Sequence, residues 1–293
     1  MIYKIQNKYL EVEIATMGAE IKSIKYLGVD YLHDSNPKYW CYSAPILWPN
    51  IGCLKNGVSL FNGVSYPMKK HGIARVTEFT CCNETNTSLT FILSSNQETN
   101  AIYPFDFDLI IKYELEERSI KSTINVINKS TNDMPFNLGL HPAFKVPLSD
   151  DETFEDYHVL FDKTGTYEVP YIDLVTGLID YTKRPKELIN FNELNLKYED
   201  FDADAIVLEN VLSHSVILES KNSHHGVKFD FPEFTHFGMW TPGSIKKAPF
   251  ICLEPWIGCA DRPQSDGEFS SKRDLVWLKP TEEKAFNYQF TFF

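Results

Sequence analysis

The sequence predicts an all-β protein, a large antiparallel β-sandwich with one or two short helices. Three observations predict it. Apolar and polar residues alternate with period two from end to end, turn signals separate the alternating runs, and aromatic residues reach 14%, with 21 Phe and 15 Tyr. Bulky rings of that kind suit pleated, half-buried surfaces.

In chain order, Leu10, Val12 and Ile14 interleave with Glu11 and Glu13, the pattern of a strand with one wet face. Phe61-Asn62-Gly63 and Asn83 to Thr87 are turn signals, as are Glu116 to Ser119 and Pro280 to Glu283, and they imply antiparallel hairpins. Asn96 to Tyr103, stopped by Pro104, is one helical candidate, and Pro185 to Leu194 is the other. Ile120, Ile124 and Val126 alternate with Lys121, Thr123 and Asn125. At the end of the chain Phe286, Tyr288, Phe290 and Phe292 point one way while Asn287, Gln289 and Thr291 point the other. A parallel doubly wound sheet is excluded because no βαβ rhythm exists. No Gly-rich tract or fixed-period repeat supplies a linker, so residues 1–293 read as a single domain. Its sheets must stack or close, which leaves concave faces for a ligand.

Lys and Arg total 28 against 40 Asp and Glu, a net charge of −12 with a pI near 5.1. With no basic run to offset it, this charge argues against nucleic acid as a partner and against a polybasic membrane anchor. Hydrophobic residues at 43% suffice for a large core and exclude disorder. No apolar run approaches the roughly 20 residues of a membrane helix, and the opening MIYKIQNKYLEVEI alternates instead of forming a signal-peptide core. A soluble, cytoplasmic protein is expected. Cys41, Cys53, Cys81, Cys82, Cys252 and Cys259 form no CxxC pair and read as free thiols. His224-His225, Asp202 and Asp204 lack a repeated ligand spacing, so neither a metal nor any other cofactor is expected.

Four segments concentrate polar residue types beside Gly, Pro and Trp: Pro45 to Gly52, Lys70 to Arg75, Phe136 to Phe144, and Phe250 to Trp256. Glu254 sits in the apolar stretch Pro249 to Trp256. Burial there raises a carboxyl pKa toward neutrality, which suits a general acid or base. The alternative is an edge-strand glutamate paired to Lys246 or Lys247. His141, between Gly139 and Pro142, projects from a strand end and can exchange a proton near neutral pH, or else is a packed core histidine. His71, beside Gly72 and Arg75, carries the same two readings. Trp48, Trp240 and Trp256 are either core residues or apolar platforms for the C–H faces of a sugar ring.

Together with Gly18-Ala19-Glu20-Ile21, and in this order along the chain, the Pro45 to Gly52 turn, HGIAR (His71 to Arg75), NLGLHPAF (Asn137 to Phe144) and CLEPW (Cys252 to Trp256) resemble the aldose 1-epimerase (galactose mutarotase) superfamily. The resemblance is closest to its LacX-like branch and covers essentially the whole chain. HPAF and LEPW are the specific motifs, while HGIAR alone is only suggestive. The resemblance implies a β-supersandwich whose concave face holds a monosaccharide, and an isomerase that interconverts α and β anomers of an aldohexose without a cofactor. It implies that Glu254 is the base taking the C1 hydroxyl proton, that His141 is the acid protonating the ring oxygen, and that His71 holds the sugar.

The match fails at one place. Relatives carry an Arg after the glycine corresponding to Gly52, where this chain has Cys53, with Lys55 nearby and Arg75 as a further candidate cation. No motif fixes the family's acidic sugar-contacting residue in this chain; Asp204 is the candidate and Asp202 the alternative, each otherwise a solvated turn carboxylate. The expected substrate-binding set is therefore His71, Arg75, Asp204, Lys55 and Trp256. Cys53 keeps a non-catalytic sugar-binding or sensor protein open. A hexose-6-phosphate mutarotase would need several cations, and arginine occurs only at Arg75, Arg118, Arg184, Arg262 and Arg273. A lyase or glycan-binding module on the same architecture fits the motifs least. Monomer and homodimer are both compatible with the sequence.

Overall fold

Nine strands form the largest sheet, in the order Lys186–Asn195, Tyr157–Val169, Ser215–Ser220, Gly226–Asp230, Glu283–Phe292, Ser119–Asn128, Phe107–Glu116, Ser88–Ser94 and Thr80–Glu84. A six-stranded sheet runs Ile206–Leu208, His236–Trp240, Phe250–Ile257, Leu138–Leu140 and Ile46–Leu47, and Ala143–Lys145 also pairs with Phe250–Ile257. Ile2–Gln6, Leu10–Ala15, Ile21–Tyr26 and Val29–Asp30 make a four-stranded sheet. Every ladder in these three sheets is antiparallel. This computed structural model describes residues 1–183 and 186–293, so Arg184 and Pro185 lie outside the described residues.

The large antiparallel sandwich expected from the alternation is present. Leu10–Ala15 and Phe107–Glu116 bury every second side chain. The two larger sheets meet through aromatic rings: Phe144 packs edge-on against Phe229 and Phe290 at 6.3 and 5.2 Å, and Phe237 against Phe161 at 5.4 Å. Such contacts fill the space between two sheets with few side chains, which accounts for the aromatic content. Asn62 and Gly63 both take positive φ, 53° and 78°, between the paired residues Phe61 and Val64. That is the two-residue turn whose twist matches its flanking strands.

Of the two helical candidates, Asn96 to Tyr103 holds a one-turn helix, Gln97–Asn100, whose first N–H groups are capped by the Asn96 side chain. The second is corrected: Lys186–Asn195 is a strand. Its half-buried residues Leu188, Phe191 and Leu194 recur every third position because Asn190 has φ 51° and the register to Tyr157–Val169 shifts twice. Between Leu188 and Phe191 the strand carries one residue more than its partner, and between Phe191 and Glu193 the partner carries three more, so the period of two is broken and the pattern mimics a helical face. The other α-helix is Gly243–Lys246. All six cysteines are free. Among the described residues no helix is long and apolar enough to cross a membrane.

Candidate active site

The site is built on the centre of the six-stranded sheet. Leu138 faces Ile257 and Gly139 faces Trp256 on one side of His141, while Ala143 faces Cys252 on the other. That shared register sets His141 opposite Glu254, and His141 Nε2 lies 3.0 Å from Glu254 Oε2. Between the two short ladders, at His141-Pro142, the backbone N–H of His141 donates to the Pro45 carbonyl at 3.1 Å, so the imidazole leaves the strand end as expected. The edge-strand reading of Glu254 is corrected: Phe250–Ile257 is paired on both flanks and buried at every residue. The Lys246 ammonium turns instead to the Tyr39 carbonyl at 3.2 Å.

Burial pushes the Glu254 carboxyl well above its usual range, with the Lys70 ammonium opposing and Asp204 adding to the rise. Burial also pushes the His141 imidazole well below its ordinary value, helped by the positive charges of Lys70 and Arg75. Each group disfavours its own charge, so the couple is neutral overall and holds one exchangeable proton between nitrogen and oxygen. The indole of Trp40 stacks on the His141 ring at 4.6 Å and 27°, and Trp240 meets that ring edge-on at 5.9 Å. Both aromatic contacts restrict rotation of the ring.

His71 has φ 69° and is followed by Gly72 at 71°. A Cβ on Gly72 would lie 2.3 Å from the Trp48 carbonyl oxygen, so the HG dipeptide is required by the close pass of two backbones. Trp256 depends on glycines as well: a Cβ on Gly139 or Gly238 would come within 2.6 or 2.8 Å of its indole. Both neighbouring strands are thus bare where the ring lies.

His141, Glu254, His71, Arg75, Asp204 and Trp256 all line one cavity of about 370 Å³, together with Trp240, Trp40 and Lys70. Ile51, Ile172, Ile179 and Val207 add apolar wall. Size and mixed lining are those of a small-molecule site. The Asp202 alternative falls elsewhere, because its carboxylate accepts the N–H and hydroxyl of Ser244 at the start of the Gly243–Lys246 helix.

Two expected residues are not brought to the cavity. Lys55 donates its ammonium to the Ser265 carbonyl at 2.8 Å and its backbone N–H to Asp261, and it does not line the cavity. Trp48 is fully buried, 4.4 Å from Phe107 and 5.2 Å from Tyr103, so it is a core residue and not a platform. Cys53 lies behind the wall, where a Cβ on Gly177 would meet its sulfur at 2.6 Å. His224 and His225 lie in the turn after Ser215–Ser220, outside the cavity lining.

Lys70 and Trp40 were not identified from the sequence. Lys70 directly precedes the HGIAR motif and is the foremost charged group acting on His71, His141 and Glu254. Its adjacency to His71 was the available signal. Trp40 had none, since it lies in an irregular turn more than 100 residues before the ring it covers.

An antiparallel sandwich with a buried histidine–carboxyl couple in a small-molecule cavity defines the class, and the chain belongs to the aldose 1-epimerase family, which it matches over residues 1–290. It is 34% identical over 298 residues to the plasmid-borne Protein LacX of Lactococcus lactis subsp. lactis, with 99% of each chain covered. Among solved structures it is similar to a galactose mutarotase related enzyme from Lactobacillus acidophilus, at 30% identity and TM-score 0.92 over 100% of this chain and 97% of the other. A galactose mutarotase-like protein from Lactobacillus casei follows at 26% identity and TM-score 0.91, with both chains covered in full.

Proposed function

We propose that the protein is a mutarotase that opens and recloses the ring of an aldohexose, with Glu254 and His141 exchanging the protons. The observation that carries this reading is the 3.0 Å contact between the two groups in the cavity. In ring opening, the Glu254 carboxylate takes the C1 hydroxyl proton while protonated His141 gives its proton to the ring oxygen. The C1–O5 bond breaks and a carbonyl forms. One proton enters the couple and one leaves, so its proton count is unchanged. After rotation about C1–C2, O5 adds to the opposite face of the carbonyl as its proton returns to His141 and the Glu254 proton passes to the carbonyl oxygen. The opposed shifts favour the proton on Glu254, so the reacting form is the tautomer of the same neutral couple in which that proton has crossed the 3.0 Å contact to His141. His71, Arg75 and Asp204 bind hydroxyls, and Trp256 offers an apolar face.

Polarimetry or NMR of freshly dissolved α-D-glucose and α-D-galactose tests this reading. Anomerisation faster than the spontaneous rate, lost in Glu254→Gln, supports it. Calorimetric binding of sugar with no rate effect would replace it with a binding protein. One observation favours a second reading, a hexose-6-phosphate mutarotase: Lys70, Arg75 and Lys246 all line the cavity, giving it more cations than the arginine count alone implied. A strong rate preference for free sugars over their phosphates would dispose of it.

A further inference from the structure

Cys252 and Glu254 are two residues apart on one strand, so their side chains share a face, and the register sets His141 beside them. The thiol, an imidazole nitrogen and a carboxylate oxygen of these buried residues lie within 4.8 Å of one another. A tetrahedral zinc ion holds sulfur at about 2.3 Å and nitrogen or oxygen at about 2.0–2.2 Å, which sets its ligand atoms roughly 3.3–3.7 Å apart. The His141–Glu254 contact of 3.0 Å is already close to that spacing.

We infer that His141, Cys252 and Glu254 form a zinc-binding site, with a cavity water as fourth ligand, and that zinc bound there blocks the proton exchange. The charges permit it. Zinc replaces two protons, one from the thiol and one from the His141–Glu254 couple, both released to solvent, so the loaded site carries no more charge than the empty one. Lys70 and Arg75 therefore do not exclude the ion. A second cluster of the same donor types, Glu209, His236 and Cys259, does not qualify. There the Arg273 guanidinium donates to both Glu209 oxygens at 2.8 and 2.7 Å and reaches the Cys259 sulfur at 3.3 Å, so a cation already fills the centre.

The block on catalysis rests on the mutarotase reading above, but zinc binding does not, so the two are measured separately. Calorimetry with zinc chloride alone, at several pH values, is expected to show one site whose affinity rises about hundredfold per pH unit, as release of two protons requires. Cys252→Ser should bind at least tenfold more weakly, with a slope near tenfold per pH unit, and keep its sugar anomerisation. Cys259→Ser should match the wild type. Cobalt(II) added to the wild type should give a thiolate charge-transfer absorption that survives Cys259→Ser and disappears in Cys252→Ser and in Cys252→Ala. The cobalt spectrum of the wild type needs no variant to fold. Absence of that absorption in the wild type, or zinc affinity undiminished in both Cys252 variants, overturns the site. If zinc binds as expected but no anomerisation is ever seen, the mutarotase reading fails while the site stands.

Discussion

Gly52 and His71 hold each other by a reciprocal pair of hydrogen bonds. The Gly52 N–H donates to His71 Nδ1 at 3.1 Å, and the His71 N–H donates to the Gly52 carbonyl at 3.0 Å. Because Nδ1 accepts, the ring hydrogen resides on Nε2, and burial keeps the imidazole neutral, with the Lys70 charge assisting. His71 is thereby fixed as a neutral donor in the cavity wall. His71→Ala should lower kcat/KM for anomerisation by about ten- to a hundredfold, the worth of one aimed hydrogen bond in a closed site. Gly52→Ala acts on the fold itself. With φ 66° and a new Cβ 2.5 Å from the Ala260 Cβ, it should cost about 1–3 kcal/mol, measured by denaturant unfolding. Wild-type stability in that variant would show that the turn relaxes freely.

The His141–Glu254 couple predicts the shape of the pH–rate profile. Activity requires one proton on the pair. The acid limb marks entry of a second proton and is governed by His141, whose pKa is lowered, so it lies on the acid side of the ordinary histidine value. The alkaline limb marks loss of the last proton and lies above the ordinary carboxyl range, where burial has pushed Glu254. Glu254→Gln and His141→Asn should each lower kcat by about a hundredfold or more while sugar still binds in calorimetry. Two variants turning over at the wild-type rate would remove these residues from the mechanism.

Lys70 and Lys55 separate a cation that reaches the site from one that does not. Lys70 lowers both His141 and Glu254, so Lys70→Met should raise both pKa values and move the whole pH–rate profile to higher pH, with kcat/KM down by about tenfold at neutral pH. Lys55→Met should leave kcat/KM within about twofold, since its ammonium is committed to the Ser265 carbonyl. Equal losses from both would show that the cavity wall rearranges when sugar binds.

Much of this was legible from residues, for local reasons. Alternation at Leu10–Ala15 and Glu283–Phe292 marks a strand because one face is wet and the other buried, and the pattern carries its own phase. His141 and Glu254 stood out because a polar residue inside an apolar run needs a cause. Trp48 and Trp256 show the limit. Both are tryptophans in Gly- and Pro-flanked motifs, but one packs on Phe107 in the core and the other lines the cavity, and only the sheet pairing decides. The Lys186–Asn195 strand was hidden by its bulges. Trp40 reaches His141 through tertiary folding alone, and no local pattern encodes that.

Acidification should destabilise the fold before the carboxylates titrate. His33, His71, His141 and His236 are all buried, and burial is the first cause of the lowered pKa in each. A folded-state pKa below the unfolded value of 6.5 means that the unfolded chain takes up these protons first. Stability therefore falls as pH drops below about 6.5. Glu254 works the other way, because its raised pKa makes the folded state keep a proton that the unfolded chain releases above 4.5. Between pH 5 and 7 four imidazoles oppose one carboxyl, so the histidines win. Glu209 enters later: burial favours its protonation, but the bidentate Arg273 outweighs this and holds it at about 2, so its stabilisation is complete above 4.5 and lost only below. Thermal melts at pH 7.5, 6.5 and 5.5 are expected to show Tm falling by about 2 °C or more over the last unit. The fall should be smaller in His33→Gln, which removes one of the four groups and lies outside the cavity lining. A Tm that stays flat to pH 5 and drops only below 4.5 would mean that the imidazoles accept protons without leaving the fold.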